Sequence, residues 1–220
     1  MRVLLIGSSW LGAATLQELR RRGHDVVAVW DRTAGRLAEA ASAVGAKVIA
    51  HGSIGHPGWL QNMPDLVVSA HCTWLIEEET LARCPKGGIG YHPSLLPLHR
   101  GGDAVRWAIH MRERVTGGTV FWLDERADGG PILLQDWCFI RPDDTPESLW
   151  RRDLGPMGVR LLGQAVDLVA AGRAPRQAQD DRLATWEPTF RRPALGAGRK
   201  ATEPGTKPGR TGAVRPCSDG

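Results

Sequence analysis

Four short apolar runs set the limits on this chain's architecture. Arg2–Ile6, Val26–Trp30, Lys47–Ala50 and Asp65–Ala70 span four to six residues each, with no sustained polar alternation. Such runs read as strands buried on both faces, the mark of a parallel sheet covered by helices. Helical patterns separate them, one running from the Gly7–Gly12 turn through Arg22 and another over Ala34–Val44. The opening is therefore a βαβ unit. Asp31, at the end of the second strand, invites a dinucleotide reading in which its carboxylate holds a ribose. Against it, Ser9 occupies the central glycine of the GxGxxG fingerprint. That glycine lets the backbone approach a pyrophosphate, so the opening reads as a structural module.

Beyond Ala70, a helix opening on acidic residues is expected from Glu77, then a short strand Ile89–Tyr91 ending on His92. A helical pattern covers Gly102–Arg112, turning Val105, Ala108 and Ile109 inward. Thr119–Leu123 and Pro131–Ile140 read as strands joined by the polar, glycine-ended turn Asp124–Gly130, so the sheet should carry an antiparallel hairpin and be mixed. Thr145 and Pro146 form a strong helix start, and the helix should reach Gly172 with an interruption at Gly155–Pro156. From Gly196 the chain is Gly, Pro, Thr, Lys and Arg with few apolar residues, and disorder is expected there. The expected organisation is one α/β domain over residues 1–195 and a basic tail over 196–220.

The net charge is +4, but Arg199, Lys200, Lys207, Arg210 and Arg215 against Glu203 and Asp219 place +3 of it in the tail. The body is nearly neutral, and a nucleic-acid partner is not expected. Cys72, Cys84, Cys138 and Cys217 show neither CxxC spacing nor a dense framework, which fits reduced thiols. No apolar run approaches membrane length, and a cytoplasmic location is the expectation.

The candidate chemistry centres on His92, set in Tyr91-His92-Pro93-Ser94-Leu95-Leu96-Pro97. Two prolines fix the backbone around one titratable ring. Asp128 ends another extended segment, and adjacent strands could bring the two together as an acid–base unit. Neither Ser94 nor Cys72 sits in a nucleophile signature. A histidine and a carboxylate without a nucleophile fit direct attack by a bound amine or water on a carbonyl, the protonated ring stabilising the oxyanion. The alternative is a buried histidine in a turn, with Asp128 closing a hairpin; these residues alone leave both open. The segment Ala70–Ile76 follows a strand, where open α/β sheets bind ligands, and could line a site or fill core. His51 and His56 share a loop without a carboxylate or thiol cluster, so no metal is expected.

His92-Pro93-Ser94-Leu95-Leu96-Pro97 with Arg100-Gly101, then Thr116-Gly117-Gly118-Thr119, then Asp128-Gly129-Gly130-Pro131 with Leu134-Gln135, closely resembles the folate-dependent formyltransferase family. That family includes the glycinamide ribonucleotide and methionyl-tRNA enzymes and the hydrolase domain of formyltetrahydrofolate dehydrogenase. The likeness covers residues 1–190, and Ala184-Thr185-Trp186-Glu187-Pro188 resembles the family's closing motif. It implies a Rossmann-like, mostly parallel sheet and 10-formyltetrahydrofolate as donor, without a metal. His92 and Asp128 fall on the family's catalytic pair. His71, Cys72, Thr73, Trp74 and Leu75 fall on the segment cradling the pterin, and Asp124, Glu125, Arg126 and Ala127 on a turn that contacts it mainly through backbone.

One position departs from the transferases. They carry Asn two residues before the histidine, whose amide helps hold the oxyanion; here it is Gly90. The dehydrogenase's hydrolase domain also lacks that Asn and shares the Tyr91–Pro97 wording, Phe121-Trp122 and Pro142-Asp143-Asp144-Thr145. The resemblance thus implies formyl transfer to a small amine, with hydrolysis as the alternative. A non-catalytic folate- or nucleotide-binding module, with Gly90 marking lost chemistry, is the competing class.

Overall fold

Strands form where the apolar runs predict them, and they assemble into a seven-stranded sheet of order β3-β2-β1-β4-β5-β6-β7. The computed structural model of the protein describes residues 1–31, 35–49, 64–72, 76 and 78–190. β1 (Arg2–Gly7), β2 (Asp25–Trp30), β3 (Lys47–Ile49), β4 (Leu66–Ala70) and β5 (Gly88–His92) are joined in parallel. β6 (Val115–Trp122) runs antiparallel to β5, and β7 (Ile132–Phe139) antiparallel to β6. The hairpin is therefore as expected, and the direction already reverses one strand earlier, between β5 and β6.

Alternation along the strands builds the layers. Val3 and Leu5 face α1 (Ser9–Arg21), α2 (Arg36–Ala43) and α6 (Gly155–Ala170), where Leu16, Leu19, Leu37, Leu161 and Leu162 complete the main core. Leu4 and Ile6 point the other way, with Ala28, Ile49, Val67 and Ile76. Burying each such side chain contributes roughly 1.5–3 kcal/mol, so these residues carry the frame. Chain order reverses at β1, whose neighbours are β2 on one side and β4 on the other. The space beyond the carboxyl ends at such a switch is where α/β sheets take ligands.

The helix that closes the chain's core is continuous rather than broken. α5 (Pro146–Leu149) opens on Thr145, whose Oγ1 accepts from the Ser148 N–H at 3.1 Å while Ser148 Oγ accepts from Thr145 N at 2.9 Å. A π-helical turn over Trp150–Leu154 then leads into α6. Pro156 has no N–H to give to the preceding turn, and widening that turn accommodates it without a break. Tyr91 donates to the Leu154 carbonyl at 2.7 Å, tying this helix to β5. α3 (Glu78–Ala82) and α4 (Ala104–His110) are short, and Val105 and Ile109 are only half-buried. Asp31, buried at the end of β2, accepts from the N–H groups of Gly35 (3.1 Å) and Ala38 (3.3 Å). Its carboxylate faces the start of α2, a structural use that agrees with the absent fingerprint glycine.

The site described below lies wholly within the compact unit Met1–Thr189. The tail over 196–220, and with it Cys217, lies outside the described residues.

Candidate active site

A cleft of about 890 Å³ opens beyond the ends of β1, β4 and β5. His92 and Asp128 both line it, as do Ser9, His71 and Trp150 from its other walls.

His92 is the last residue of β5 and is buried. Its Nε2 lies 2.6 Å from the His99 carbonyl oxygen. A carbonyl can only accept, so Nε2 carries the hydrogen and Nδ1 is the nitrogen left for chemistry. Nδ1 faces Asp128 Oδ2 at 3.6 Å, too long for a hydrogen bond and close enough for charge to be felt.

Side chains from the antiparallel strands hold the loop after His92. The Thr119 hydroxyl donates to Ser94 O (2.7 Å) and accepts from Leu96 N (3.1 Å) and Gln135 Nε2 (2.9 Å). Gln135 also donates to Leu96 O at 2.8 Å, and Ser94 Oγ to Leu98 O at 2.5 Å. Every lone pair and hydrogen of the Thr119 hydroxyl is matched, which fixes the loop's path.

Asp128 sits in the turn between β6 and β7 with φ +51°, left-handed for a residue with a side chain. Its Oδ2 accepts from the Gly101 N–H at 2.8 Å. One backbone segment, His99–Gly101, thus orients both members of the pair: its first carbonyl takes the His92 hydrogen, and its last amide holds Asp128. Gly101 has φ +93°, and a Cβ there would stand 2.9 Å from the Trp186 ring, so only glycine fits. The closing motif fastens this segment from outside. Thr185 accepts from Arg100 N through its carbonyl (3.0 Å) and from His99 N through Oγ1 (2.8 Å). The buried His99 ring lies between Glu113 Oε1 (2.8 Å) and Glu187 Oε2 (3.1 Å).

Among the other expected residues, His71, Cys72, Asp124, Arg126 and Ala127 line the cleft. Glu125 does not; it is exposed to solvent. Thr73, Trp74, Leu75, His51 and His56 lie outside the described residues. Loss of solvent lowers the His71 pKa, favouring a neutral ring, and Ser9 Oγ meets its Nδ1 at 2.9 Å. A Cβ on Gly90 would come within 3.0 Å of Leu123 Cδ2 and 3.5 Å of the Phe121 ring. The direction in which a side-chain donor would project is thus occupied by apolar carbon. No group of three metal-ligating side chains occurs among the described residues.

A family model described as formyl transferase matches residues 1–157. The chain belongs to the formyl transferase family. It is similar to the mouse mitochondrial 10-formyltetrahydrofolate dehydrogenase, 36% identical over 209 residues covering 85% of this chain and 22% of that protein. It is also similar to the methionyl-tRNA formyltransferase of Methylacidiphilum infernorum (isolate V4), 33% identical over 202 residues, 84% of this chain and 63% of the relative. The chain therefore spans about a fifth of the dehydrogenase's length. Among solved structures, glycinamide ribonucleotide transformylase 1 from Symbiobacterium toebii superposes with TM-score 0.71 at 28% identity, over 81% of this chain and 93% of that one. The mixed sheet with flanking helices is the formyltransferase fold, and the family is enzymatic and folate-dependent.

Within this formyl transferase domain, sequence reasoning missed the residues that hold the pair. Thr119, Gln135 and Thr185 stand in the quoted motifs, yet polar residues in strands and closing segments carry no period that assigns them a partner. His99 and Gln179 lie outside any expected site. The only available signal for His99 was a second histidine seven residues after the first, in the same loop.

Proposed function

We propose that this domain transfers the formyl group of 10-formyltetrahydrofolate to a small amine, with His92 and Asp128 as the acid–base pair. One observation carries the reading: Nδ1 of His92 and Oδ2 of Asp128 face each other at 3.6 Å in a cleft sized for a small-molecule ligand. With Nε2–H committed to the His99 carbonyl, a proton on Nδ1 is the one available to the formyl oxygen. As the amine attacks the formyl carbon, charge grows on that oxygen and the imidazolium balances it. Asp128 stabilises the imidazolium and takes the proton of the attacking amine. The N10–carbon bond breaks, the proton passes to N10, and the products are the formylated amine and tetrahydrofolate. The cleft also reaches Ser9 and Trp150, and its volume supports an acceptor bound beside the folate.

Gly90 favours a second reading, hydrolysis to formate and tetrahydrofolate. Absence of an oxyanion donor typically costs about 10²–10³ in turnover. Leu123 and Phe121 fill the space on that side, and water needs no pocket there. The similarity to the dehydrogenases supports the same alternative.

Purified protein incubated with 10-formyltetrahydrofolate, with tetrahydrofolate release followed by absorbance, separates the readings. Release only with an added amine supports transfer; release without one supports hydrolysis; folate binding with no release in either case overturns both. His92→Ala is expected to lower whichever turnover occurs by about 10²–10⁴, the span of general acid–base contributions, with the thermal midpoint little changed. Full turnover in that variant would remove His92 from the chemistry.

A further inference from the structure

Asp128 holds a backbone conformation that persists only where the surroundings impose it. A side chain outside the cleft bonds this turn on both sides of Gly129. The Gln179 amide donates one hydrogen to the Asp128 carbonyl at 2.8 Å and the other to the Gly130 carbonyl at 2.7 Å. Its Oε1 accepts from Arg100 Nε at 3.1 Å and Nη2 at 2.7 Å. Both donors and both acceptor sites are used, and the orientation is unambiguous. Reversed, the amide would point hydrogens at a guanidinium and oxygen at two carbonyls. Arg100 is buried, makes a further bond to Asp181 Oδ1 at 2.7 Å, and directly precedes Gly101, whose N–H holds the Asp128 carboxylate. Asp128 is thus gripped at its carbonyl by Gln179 and at its carboxylate by Gly101, and both grips converge on Arg100.

We infer that Gln179 is a positioning residue for Asp128, locking the turn so that the carboxylate points at His92 Nδ1. This rests on the acid–base reading above. Gln179 does not line the cleft, so its removal leaves folate contacts in place.

The test is a double-mutant cycle on tetrahydrofolate release, under whichever acceptor condition supports turnover. Gln179→Ala is expected to lower kcat about ten- to a hundred-fold, the scale on which small misplacements act, with KM for 10-formyltetrahydrofolate within about twofold of wild type. Combined with Asp128→Asn, it should cost almost nothing further, because the group it positions is already lost. Gln179→Glu keeps the length and the acceptor for Arg100 but removes both donors, so its kcat should fall nearly as far. Equal losses in both backgrounds, an unchanged kcat in Gln179→Ala, or wild-type kcat in Gln179→Glu would each overturn the role. If Asp128→Asn is too slow to measure, the Glu variant and the KM comparison decide. Full turnover in Asp128→Asn sinks the acid–base reading itself, whereas an impaired Asp128→Asn beside a silent Gln179→Ala sinks only this inference. Gln179 is only half-buried, and thermal melts of each variant exclude global unfolding as the cause.

Discussion

The half of the domain running from β1 to β4 and the half from β5 to the closing motif share one apolar core and differ in the polar groups they bury beside it. In the first, the interior is almost wholly aliphatic, and among the described residues its buried polar ones are Thr15, Asp31 and Ser69. The second buries His92, Ser94, His99, Arg100, Thr116 and Thr119, several of them in side chain-to-backbone bonds around the two site loops. Apolar burial is roughly proportional to area and has no direction, so it can stack helices on a sheet but cannot aim a ring. Hydrogen bonds are directional and costly when left unmade, so a satisfied network specifies one geometry. The parallel half supplies the frame and its switch point; the antiparallel half aims two side chains into the cleft that the frame opens.

If that division is correct, the two halves should fail differently. The largest effect on stability is expected in the frame. Leu5 is fully buried in the main core, and Leu5→Ala should cost about 2–5 kcal/mol in chemical denaturation. Turnover per folded molecule should stay near wild type, since Leu5 lies in the main core and does not line the cleft. A matching collapse of turnover in the folded fraction would show that frame and site are not separable. Thr119→Val reverses the pattern. It keeps the shape, removes the hydroxyl, and leaves Leu96 N–H and Ser94 C=O without their partner. The expected stability loss is about 1–3 kcal/mol, the penalty for unpaired buried groups, and smaller than that of Leu5→Ala. Turnover should nevertheless fall, because the loop that carries His92 loses its anchor. Unchanged turnover in a destabilised Thr119→Val would break the comparison.

The same division explains what the sequence revealed. Strand runs of Val, Leu and Ile declare a buried parallel sheet because their period is a direct consequence of burial, and the expected β1, β2 and β4 lie within a residue or two of the observed ones. The helix around Gly155–Pro156 misled for a local reason: proline forbids one hydrogen bond, and a π-helical turn solves this without ending the helix. His92 and Asp128 were legible through motif wording, yet their separation depends on bonds that span 7, 27, 39 and 51 positions along the chain. Nothing periodic links Gln179 to Asp128, and a polar residue's partner becomes visible only once the fold has placed it. Gly90 was legible as a departure but not as a filled space, because Leu123 reaches it from the neighbouring chain segment rather than through sequence proximity.

The smallest expected effect concerns a polar cluster outside the site loops, and it tests whether directional bonds matter there for the reaction or only for the helix. Asp144 precedes α5 and accepts from Arg152 Nη2 (2.8 Å), Arg141 N (2.7 Å) and Ser148 Oγ (2.8 Å). The Arg152 guanidinium, with these further donors, holds its carboxyl well below the usual carboxylate range. A folded-state pKa lowered in this way means that the ionised form stabilises the fold. The contribution is complete above the unfolded value of about 3.9 and is lost as pH falls towards the depressed folded one. Asp144→Asn keeps an acceptor but removes the charge, so it should be less stable than wild type at pH 7, by less than Thr119→Val. The difference should hold on acidification until about pH 4 and shrink below it, as read by urea denaturation at successive pH values. Turnover at neutral pH should be unaltered, because no bond from Asp144 reaches His92, Asp128 or the segment that orients them. A stability gap that widens with acid would reverse the sign of the linkage. A loss of turnover would extend the aiming network beyond the two loops, to the helix that forms the cleft's far wall.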